Sequence, residues 1–290
     1  MANFRGTGWI PDLPDDRDLT PESDRIRSQI LSFGTPLVRP KVDLRTTQSF
    51  PPIVNQGGLQ SCTAHAAVCL LEYFETQAFK TYIEHSRLFV YKVTRNLALQ
   101  SADVGAFLRD TMKALALVGA PPEQYWPYVE ASVNVEPTPF AYALAQNFQA
   151  LDYYRYDPDG ADRAVVLQKI QTNLSSGLPA MFGFYLFQDA VQQAERGGTF
   201  PVPSQEDRPI GGHAVVAVGY DNGKRIKNVT TGEETEGAIL FRNSWGPAWG
   251  DRGYGWLPYE YVTRELAVDW WSLISSEFVN TNQFGFGLTA

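Results

Sequence analysis

Cysteine is scarce in this chain, which has 290 residues but only Cys62 and Cys69. Both fall in one apolar stretch that predicts a helix, where they are about two turns, or about 10 Å, apart, too far for a disulfide. We therefore predict a fold without disulfides, stabilised by packed hydrophobic cores. A chain of this length has enough residues for two packed lobes or for one large domain.

Long apolar runs are also missing. No segment approaches the roughly 20 residues of a membrane-spanning helix, and the first residues contain no apolar signal-peptide core. We expect a soluble protein with no membrane partner, either cytoplasmic or exported by a route that needs no signal peptide. We also expect a monomer.

Positive charge is in deficit, with a net charge of -8 and a pI near 5.0. No cluster of lysine or arginine offsets this sign, so we expect no nucleic acid substrate. Phosphate-binding loops, paired CxxC motifs and internal repeats are absent, so we expect no cofactor and no metal.

Four polar residues, in the order Gln56, Cys62, His213 and Asn243, have the side chains that a cysteine nucleophile needs. A thiol attacks, an imidazole acts as the base, one amide orients the imidazole, and another stabilises an oxyanion. Ser61 is a good N-cap residue, so we predict that the thiol lies in the first turn of a helix. The helix dipole there favours a thiolate and lowers the cysteine pKa.

Each candidate also has a simpler interpretation. A lone cysteine is usually a small core residue, and this is our interpretation of Cys69. His65 is a rival base because it lies one turn after Cys62, but a base on the same helix aligns poorly with the thiol, so we expect a packed or capping histidine. His85 has polar sequence neighbours, which predicts a surface position. Gln56 could also simply cap or stabilise a turn.

The spacing of these motifs resembles the papain family of cysteine peptidases. As in that family, a glutamine lies six residues before the cysteine, and Gly212-His213-Ala214 leads into an apolar strand ending at Gly219-Tyr220. The most specific match is Asn243-Ser244-Trp245-Gly246-Pro247-Ala248-Trp249-Gly250, followed by Gly253-Tyr254. The chain departs from the family pattern in two places. Around the cysteine it has Leu59-Gln60-Ser61-Cys62-Thr63, where the family has Cys-Gly-Ser/Ala-Cys-Trp/Tyr. Before the histidine it has Gly212, where several members have aspartate.

The resemblance implies an α+β papain-like fold with two lobes and an active-site cleft between them. We predict a short leader over residues 1–38, a mainly helical lobe over 39–150 and a β-rich, barrel-like lobe with a C-terminal segment over 151–290. A helix is predicted over residues 106–118. Strands are predicted over residues 180–185, 214–218 and 237–242 because these runs are apolar and bounded by glycine.

The leader is predicted to contain a short helix capped by Thr20, with Pro21 in its first turn. Ile26, Ile30 and Phe33 form an apolar stripe on this helix that needs a surface to cover. We therefore expect a docked leader. Two positions stay open: across the cleft, as in a zymogen, or packed elsewhere for stability alone.

Alignment with the family implies a second substrate subsite formed by Gly105, Ala106 and Leu108, with Gly183 and Ala214 opposite. The family pattern also implies that Trp245 shields the bond between His213 and Asn243. We expect an apolar substrate residue at this subsite.

The function implied by the resemblance is that of a cysteine-type endopeptidase, a hydrolase that cleaves peptide or protein substrates through a thioester acyl-enzyme. Two alternatives stay open. One is a transpeptidase or ligase, which transfers the acyl group to an amine. The other is a binding protein on the same fold without catalytic activity.

Overall fold

The computed structural model describes residues 7–32, 37–150, 152–195 and 197–274, which form an α+β fold as predicted. The helices in this part of the chain are α1 Asp24–Ser32, α2 Cys62–Phe79, α3 Arg87–Leu97, α4 Leu108–Leu117, α5 Pro139–Ala145, α6 Arg163–Ser175, α7 Gln188–Ala194 and α8 Glu260–Thr263. The strands are β1 Trp9–Ile10, β2 Lys41–Asp43, β3 Ala106–Phe107, β4 Asp152–Arg155, β5 Ala180–Phe187, β6 Pro209–Lys227, β7 Glu234–Arg242, β8 Tyr254–Pro258 and β9 Ala267–Ile274.

Helix α2 is the centre of the helical part. Every side chain from Cys62 to Glu75 is buried, as expected for a helix that is apolar on all sides and packs against neighbours all round. Helices α3 and α4 and one face of the sheet surround it. The next residue after the helix, Lys80, is its C-cap and has a left-handed backbone with φ of 57°. Both Cys62 and Cys69 are buried and free, as predicted.

The sheet contains seven strands in the order β4-β9-β5-β6-β7-β8, with β2 paired to β6, and all these pairings are antiparallel. The three predicted strands are confirmed as parts of β5, β6 and β7. Strand β2 lies within residues 39–150, so this range contributes to the sheet as well as to the helices.

Two hydrophobic cores lie on opposite faces of this sheet. Alternate residues of β6 enter different cores: Ala214, Val216 and Val218 face the first core, with α2, and Val215 and Ala217 face the second. Successive side chains of a strand point to opposite faces, and here both faces are covered. This explains why the strand is a continuous apolar run in the sequence.

Within the described residues, the leader is docked through a strand and a helix. Strand β1 pairs in parallel with β3, and Ile26 of α1 is fully buried in the second core. The predicted start of α1 is wrong: Thr20 and Ser23 form a turn in which the Ser23 N–H donates to the Thr20 carbonyl at 3.0 Å. The predicted stripe residue Phe33 lies outside the described residues.

The predicted helix over residues 106–118 begins two residues late, at Leu108. Ala106 and Phe107 form β3 because they pair with Trp9 and Ile10 of the leader. A distant segment therefore determines the backbone conformation here, against the helical pattern of the local sequence.

Candidate active site

Cys62 is the first residue of α2, so the predicted position of the thiol is confirmed. Ser61 occupies the N-cap position of α2 as expected, but its side chain makes no capping hydrogen bond. Its hydroxyl instead lies 2.6 Å from the Tyr128 hydroxyl, and Tyr128 donates to the Gln56 carbonyl at 2.8 Å. Since Tyr128 has one hydroxyl proton, Ser61 must be the donor in the first bond. Tyr128 thereby joins the start of α2 to the loop that precedes it.

The side-chain amide of Gln56 is fully buried and held at both ends. Its Oε1 accepts from the Ser244 hydroxyl at 2.5 Å, and its Nε2 donates to the Leu59 carbonyl at 2.8 Å. The same Nε2 lies 3.4 Å from the carbonyl oxygen of Thr7 in the leader. An amide nitrogen carries two protons, so the one not used by Leu59 faces the position that a leader carbonyl occupies.

His213 and Asn243 are brought together from β6 and from the residue after β7. Nε2 of His213 lies 2.7 Å from Oδ1 of Asn243. Because this amide oxygen can only accept, the neutral ring carries its proton on Nε2 and Nδ1 is left as a lone pair. Nδ1 is buried and has no hydrogen-bond partner among the described residues. The ring stacks on Trp245 with centroids 4.5 Å apart, so Trp245 covers this hydrogen bond.

The sulfur of Cys62 faces backbone N–H groups. The N–H of Ala214, the residue after His213, donates to Sγ at 3.3 Å, and the N–H of Trp9 in the leader also faces it. Burial raises the pKa of the Cys62 thiol to about 12 and lowers the pKa of His213 to about 4. Thiol and imidazole are therefore both neutral with the leader in place.

The expected lowering of the Cys62 pKa is thus wrong for this state of the molecule. The sulfur does lie at the start of a helix and accepts N–H hydrogen bonds, and both features favour a thiolate. Desolvation disfavours the charged form more strongly when the group is completely buried. The leader contributes to this burial, since Trp9 packs in the same core as Cys62.

The leader crosses the site as an extended strand. The N–H of Gly8 donates to the Gly212 carbonyl at 3.2 Å, and the Gly8 carbonyl accepts from the Ala106 N–H at 2.8 Å. Gly8 has a φ of 120°, and a Cβ there would lie 2.0 Å from the carbonyl oxygen of Gln60. Only glycine fits this position without a shift of the chain.

The indole of Trp9 fills a recess that the sequence analysis did not identify. Cβ atoms at Gly183 and Gly212 would lie 1.9 and 2.5 Å from its ring atoms, and Tyr185 contacts it edge to face at 5.2 Å. The indole N–H donates to Oδ2 of Asp269 at 3.0 Å. The sequence did contain a signal that Asp269 has a special role, since it is the one acidic residue in the apolar run Ala267–Ile274. No feature of the neighbouring sequence marks Trp9 in the same way.

Carboxylates and arginines connect the next leader residues to the body. The Asp12 N–H donates to Oδ2 of Asp269 at 2.8 Å, and its carboxylate accepts from the backbone N–H of Arg109 at 3.2 Å. Asp18 pairs with Arg109 at 2.6 Å and with Arg155 at 3.5 Å. Burial raises the pKa of both Asp12 and Asp269.

The residues expected to bind substrate lie along the same path. The N–H of Gly105 donates to the Tyr91 hydroxyl at 3.1 Å, and a Cβ on Gly105 would lie 2.2 Å from the Gly8 carbonyl oxygen. Leu108 is buried in the core that contains Trp9. Gly105, Ala106 and Gly183 lie against the leader, which therefore occupies this part of the surface predicted for substrate. Ala214 and Trp245 contact Cys62 and His213 instead.

The other two histidines have no place in this arrangement. His65 is buried, and its Nδ1 lies 3.0 Å from the Ser61 carbonyl, which agrees with the packed position expected for it. The prediction for His85 is wrong: the residue is completely buried. Its Nε2 lies 2.6 Å from Glu75 and its Nδ1 lies 2.8 Å from the Ala120 carbonyl. The polar sequence neighbours of His85 had suggested that its ring contacts water. Glu75 on helix α2 is its partner instead.

Among the described residues, no group of three or more His, Cys, Asp or Glu side chains is arranged to hold a metal ion. None of the helices in the same residues is long and apolar enough to cross a membrane.

A family model described as "Papain family cysteine protease" matches residues 38–263. The chain belongs to the papain family of cysteine proteases. It is therefore a papain-like cysteine peptidase, a hydrolase, and the predicted family and two-lobe fold are confirmed. The matched range contains the cysteine, the histidine and both amides of the site.

Individual family members extend the match beyond this range. An uncharacterized peptidase C1-like protein of Acanthamoeba polyphaga mimivirus is 32% identical over 283 residues, 92% of this chain and 86% of its own. The crystal structure of xylellain, a cysteine protease from Xylella fastidiosa, is 30% identical, has a TM-score of 0.76, and covers 93% of this chain and 96% of its own. The ragweed pollen protease Amb a 11 in its proform shares the fold, with 20% identity, a TM-score of 0.60, and coverage of 85% of this chain and 68% of its own.

Proposed function

We propose that the protein is an endopeptidase in which Cys62 is the nucleophile, His213 the general acid and base, Asn243 the residue that orients the imidazole, and Gln56 an oxyanion donor. The observation that carries this proposal is the 2.7 Å contact between His213 and Asn243. It fixes the imidazole with an unpaired Nδ1, while the N–H of the next residue contacts the Cys62 sulfur.

The reaction begins with transfer of the thiol proton from Cys62 to Nδ1 of His213. The sulfur then attacks the scissile carbonyl carbon, and the resulting oxyanion accepts hydrogen bonds from Nε2 of Gln56 and from the Cys62 N–H. His213 returns the proton to the amine nitrogen as the C–N bond breaks, which leaves a thioester. Water, deprotonated by the same imidazole, attacks the thioester carbonyl carbon; the C–S bond breaks, the carboxylic acid is released, and the imidazole returns the proton to the Cys62 sulfur.

Ser244 supports the oxyanion donor. Its hydroxyl donates to Oε1 of Gln56, which prevents the amide from rotating by half a turn and presenting its oxygen to the oxyanion. Loss of one oxyanion donor lowers kcat by roughly 10²–10³ in acyl-transfer enzymes. We expect a decrease of this size in Gln56→Ala.

We further propose that residues 1–38 act as an inhibitory leader. Three leader contacts support this: the Thr7 carbonyl lies by Gln56, the Trp9 N–H faces the Cys62 sulfur, and Gly8 bonds to the backbone on both sides of the cleft. A substrate would present a carbonyl carbon to the sulfur, whereas the leader presents the N–H group of Trp9. The leader is therefore an occupant of the site and not a bound substrate.

The test of the catalytic proposal is hydrolysis of a fluorogenic dipeptide amide with an apolar second residue, under reducing conditions. Full-length wild type, Cys62→Ser and Cys69→Ala are compared; Cys69 is the matched control because it is a buried thiol on the same helix. We expect activity to vanish only in Cys62→Ser. A product that contains an added amine in place of water would instead indicate a transpeptidase, and failure of an epoxide probe to label Cys62 in a chain whose leader has been displaced would indicate a binding protein.

The test of the leader uses Gly8→Ala in the full-length chain. The added methyl collides with the Gln60 carbonyl and must displace the strand. We expect at least about ten-fold faster hydrolysis, because the displaced strand no longer covers a buried thiol. Leu13→Ala is the control, since Leu13 lies in the same segment and is exposed. Equal activity in wild type and Gly8→Ala would contradict an inhibitory role.

A further inference from the structure

The recess beneath Trp9 combines features that a simple apolar pocket lacks. It is wide because Gly183 and Gly212 have no side chains where the indole lies. Tyr185 provides an aromatic edge, and the carboxylate of Asp269 accepts a hydrogen bond from the indole N–H at 3.0 Å. We call this recess, defined by Gly183, Gly212, Tyr185 and Asp269, the indole pocket.

We infer that the indole pocket is a substrate subsite selective for a tryptophan side chain, with Asp269 as the residue that determines this specificity. The inference rests on the proposed function, in which the cleft binds peptides when the leader is displaced. It sharpens the expected apolar preference, because it requires a large aromatic ring that carries an N–H donor.

The position of Asp269 favours such a donor. The residue is 1% exposed, and its Oδ1 is held by Arg155 at 3.0 Å. This leaves Oδ2, which in the docked state accepts from Trp9 and from the Asp12 N–H. When the leader departs, water can reach Oδ2; a substrate side chain that displaces this water without supplying an N–H leaves a buried acceptor unpaired, so a substrate that supplies an N–H is preferred.

Charge distinguishes indole from a cationic side chain. Asp12 and Asp18 belong to the leader and depart with it, while Arg109 and Arg155 stay, both beside Trp271. Asp269 and Asp157 pair with Arg155 at 3.0 and 3.2 Å. The open pocket thus has two arginines, Arg109 and Arg155, and two carboxylates, Asp157 and Asp269. A substrate arginine in it would be repelled by the two arginines. A neutral donor avoids this repulsion.

The experiment uses full-length Gly8→Ala and four fluorogenic substrates that differ only in the residue seated in this pocket: tryptophan, 3-benzothienylalanine, leucine and arginine. Benzothienylalanine has the shape of tryptophan with sulfur in place of the N–H. We expect kcat/KM for tryptophan to exceed that for benzothienylalanine by about ten-fold, the effect of one hydrogen bond to a charged acceptor. Arginine and leucine are expected to be poorer still.

Two substitutions at Asp269 test the assignment. Asp269 has a φ of 58°, a conformation that glycine and asparagine tolerate best. Asp269→Gly should bring the ratio of tryptophan to benzothienylalanine close to one, whereas Asp269→Asn retains an acceptor oxygen and part of the preference. Equal cleavage of both substrates by Gly8→Ala overturns the inference but leaves the peptidase mechanism intact.

A second readout does not depend on catalysis. Hydrogen exchange of the Ala106 amide, which bonds to the Gly8 carbonyl, reports leader docking. Trp9→Phe, Asp269→Gly and the double variant form a cycle in the full-length protein. Coupling between the two substitutions supports recognition of the N–H by Asp269, and strict additivity overturns it. If no substrate is cleaved, the proposed function fails, and this cycle still decides whether Asp269 recognises an indole N–H in the pocket.

Discussion

The ion pair Glu72–Arg87 in the helical part and the ion pair Asp18–Arg109 beneath the leader have nearly the same geometry, at 2.7 and 2.6 Å. The first is almost completely buried, with side chains 0% and 3% exposed, and the second is 9–10% exposed. They differ in what must move to break them. Separation of Glu72 from Arg87 requires the helices to unfold, whereas, under the proposal of an inhibitory leader, separation of Asp18 from Arg109 requires only that the leader undock.

This difference shows that similar contacts have different consequences in the two regions. A buried pair within a folded unit affects global stability, because loss of one partner leaves an uncompensated charge inside. A pair across a detachable segment affects the population of the detached state, because the remaining charge returns to water. Substitutions in the two regions should therefore change different measurements.

The largest effect is expected for Glu72→Ala. It removes the partner of Arg87 and the acceptor of the His85 N–H at 2.9 Å, and removal of one partner of a buried pair costs about 3–5 kcal/mol of unfolding free energy. Denaturant unfolding measures it. Glu84→Ala is the matched control: Glu84 approaches the same arginine at 3.6 Å but is 50% exposed, so a loss of at most about 1 kcal/mol is expected. Similar losses of unfolding free energy in both variants would contradict the special importance of the buried pair.

The next effect is expected for Asp18→Ala, which breaks the contacts to Arg109 and Arg155. We expect exchange of the Ala106 amide to accelerate by about ten-fold, as for loss of a charged hydrogen bond, with little change in denaturant unfolding of the body. Asp16→Ala is the control because Asp16 is an exposed neighbour. A large fall in unfolding free energy with unchanged exchange at Ala106 would show that the leader is part of the folded unit.

A pH effect should follow from Asp12, which faces Arg109, Arg155 and Asp269. Burial raises the pKa of Asp12 to about 6 from 3.8, so docking takes up a proton. A raised carboxyl pKa stabilises docking fully below about pH 4, and this contribution is lost as the pH rises through about 6.

The corresponding measurement is Cys62 labelling in wild type relative to Gly8→Ala at pH 5 and pH 8, where the ratio removes the titration of the thiol itself. We expect the ratio to increase by about ten-fold towards pH 8, within the limit that a shift of two pKa units allows. Asp12→Asn should abolish most of this increase. A ratio that increases towards pH 5 would show that another group controls docking.

The smallest effect is expected for Asp15→Ala. Asp15 pairs with Arg17 at 2.6 Å, but both residues belong to the leader and Arg17 is mostly exposed. The pair moves as a unit when the leader undocks, and exposed pairs contribute little. Exchange of the Ala106 amide should change by less than about two-fold. A larger change would place Asp15 among the residues that hold the leader to the body.

The change from a helical region to a strand-rich region, and the residues Gln56, Cys62, His213 and Asn243, could be predicted because their signals are local. The continuous apolar run of β6 and the start of α2 at Cys62 lie within short segments, and for these features the sequence contains the physical cause. The place of Trp245 beside His213 was instead implied by the family resemblance of the block Asn243–Gly250.

Other features depend on residues far apart in the chain and could not be predicted. The indole pocket needs Trp9 together with Gly183, Gly212 and Asp269. The high pKa of Cys62 comes from burial in a core to which the leader contributes Trp9, and the buried His85 has its polar partner, Glu75, on α2. Ala106 appeared helical because its pairing with Trp9 has no local signal.

The parallel pairing of β1 with β3 is formed within one chain, and this affects how the cleft responds to concentration. A tethered segment acts at an effective concentration on the order of 1 mM. A segment whose separate affinity is only about 10 µM would then close the site in about 99 of 100 molecules, at any dilution. A peptide substrate would have to compete with this local concentration, so even weak docking of the proposed inhibitory leader would be sufficient for strong closure.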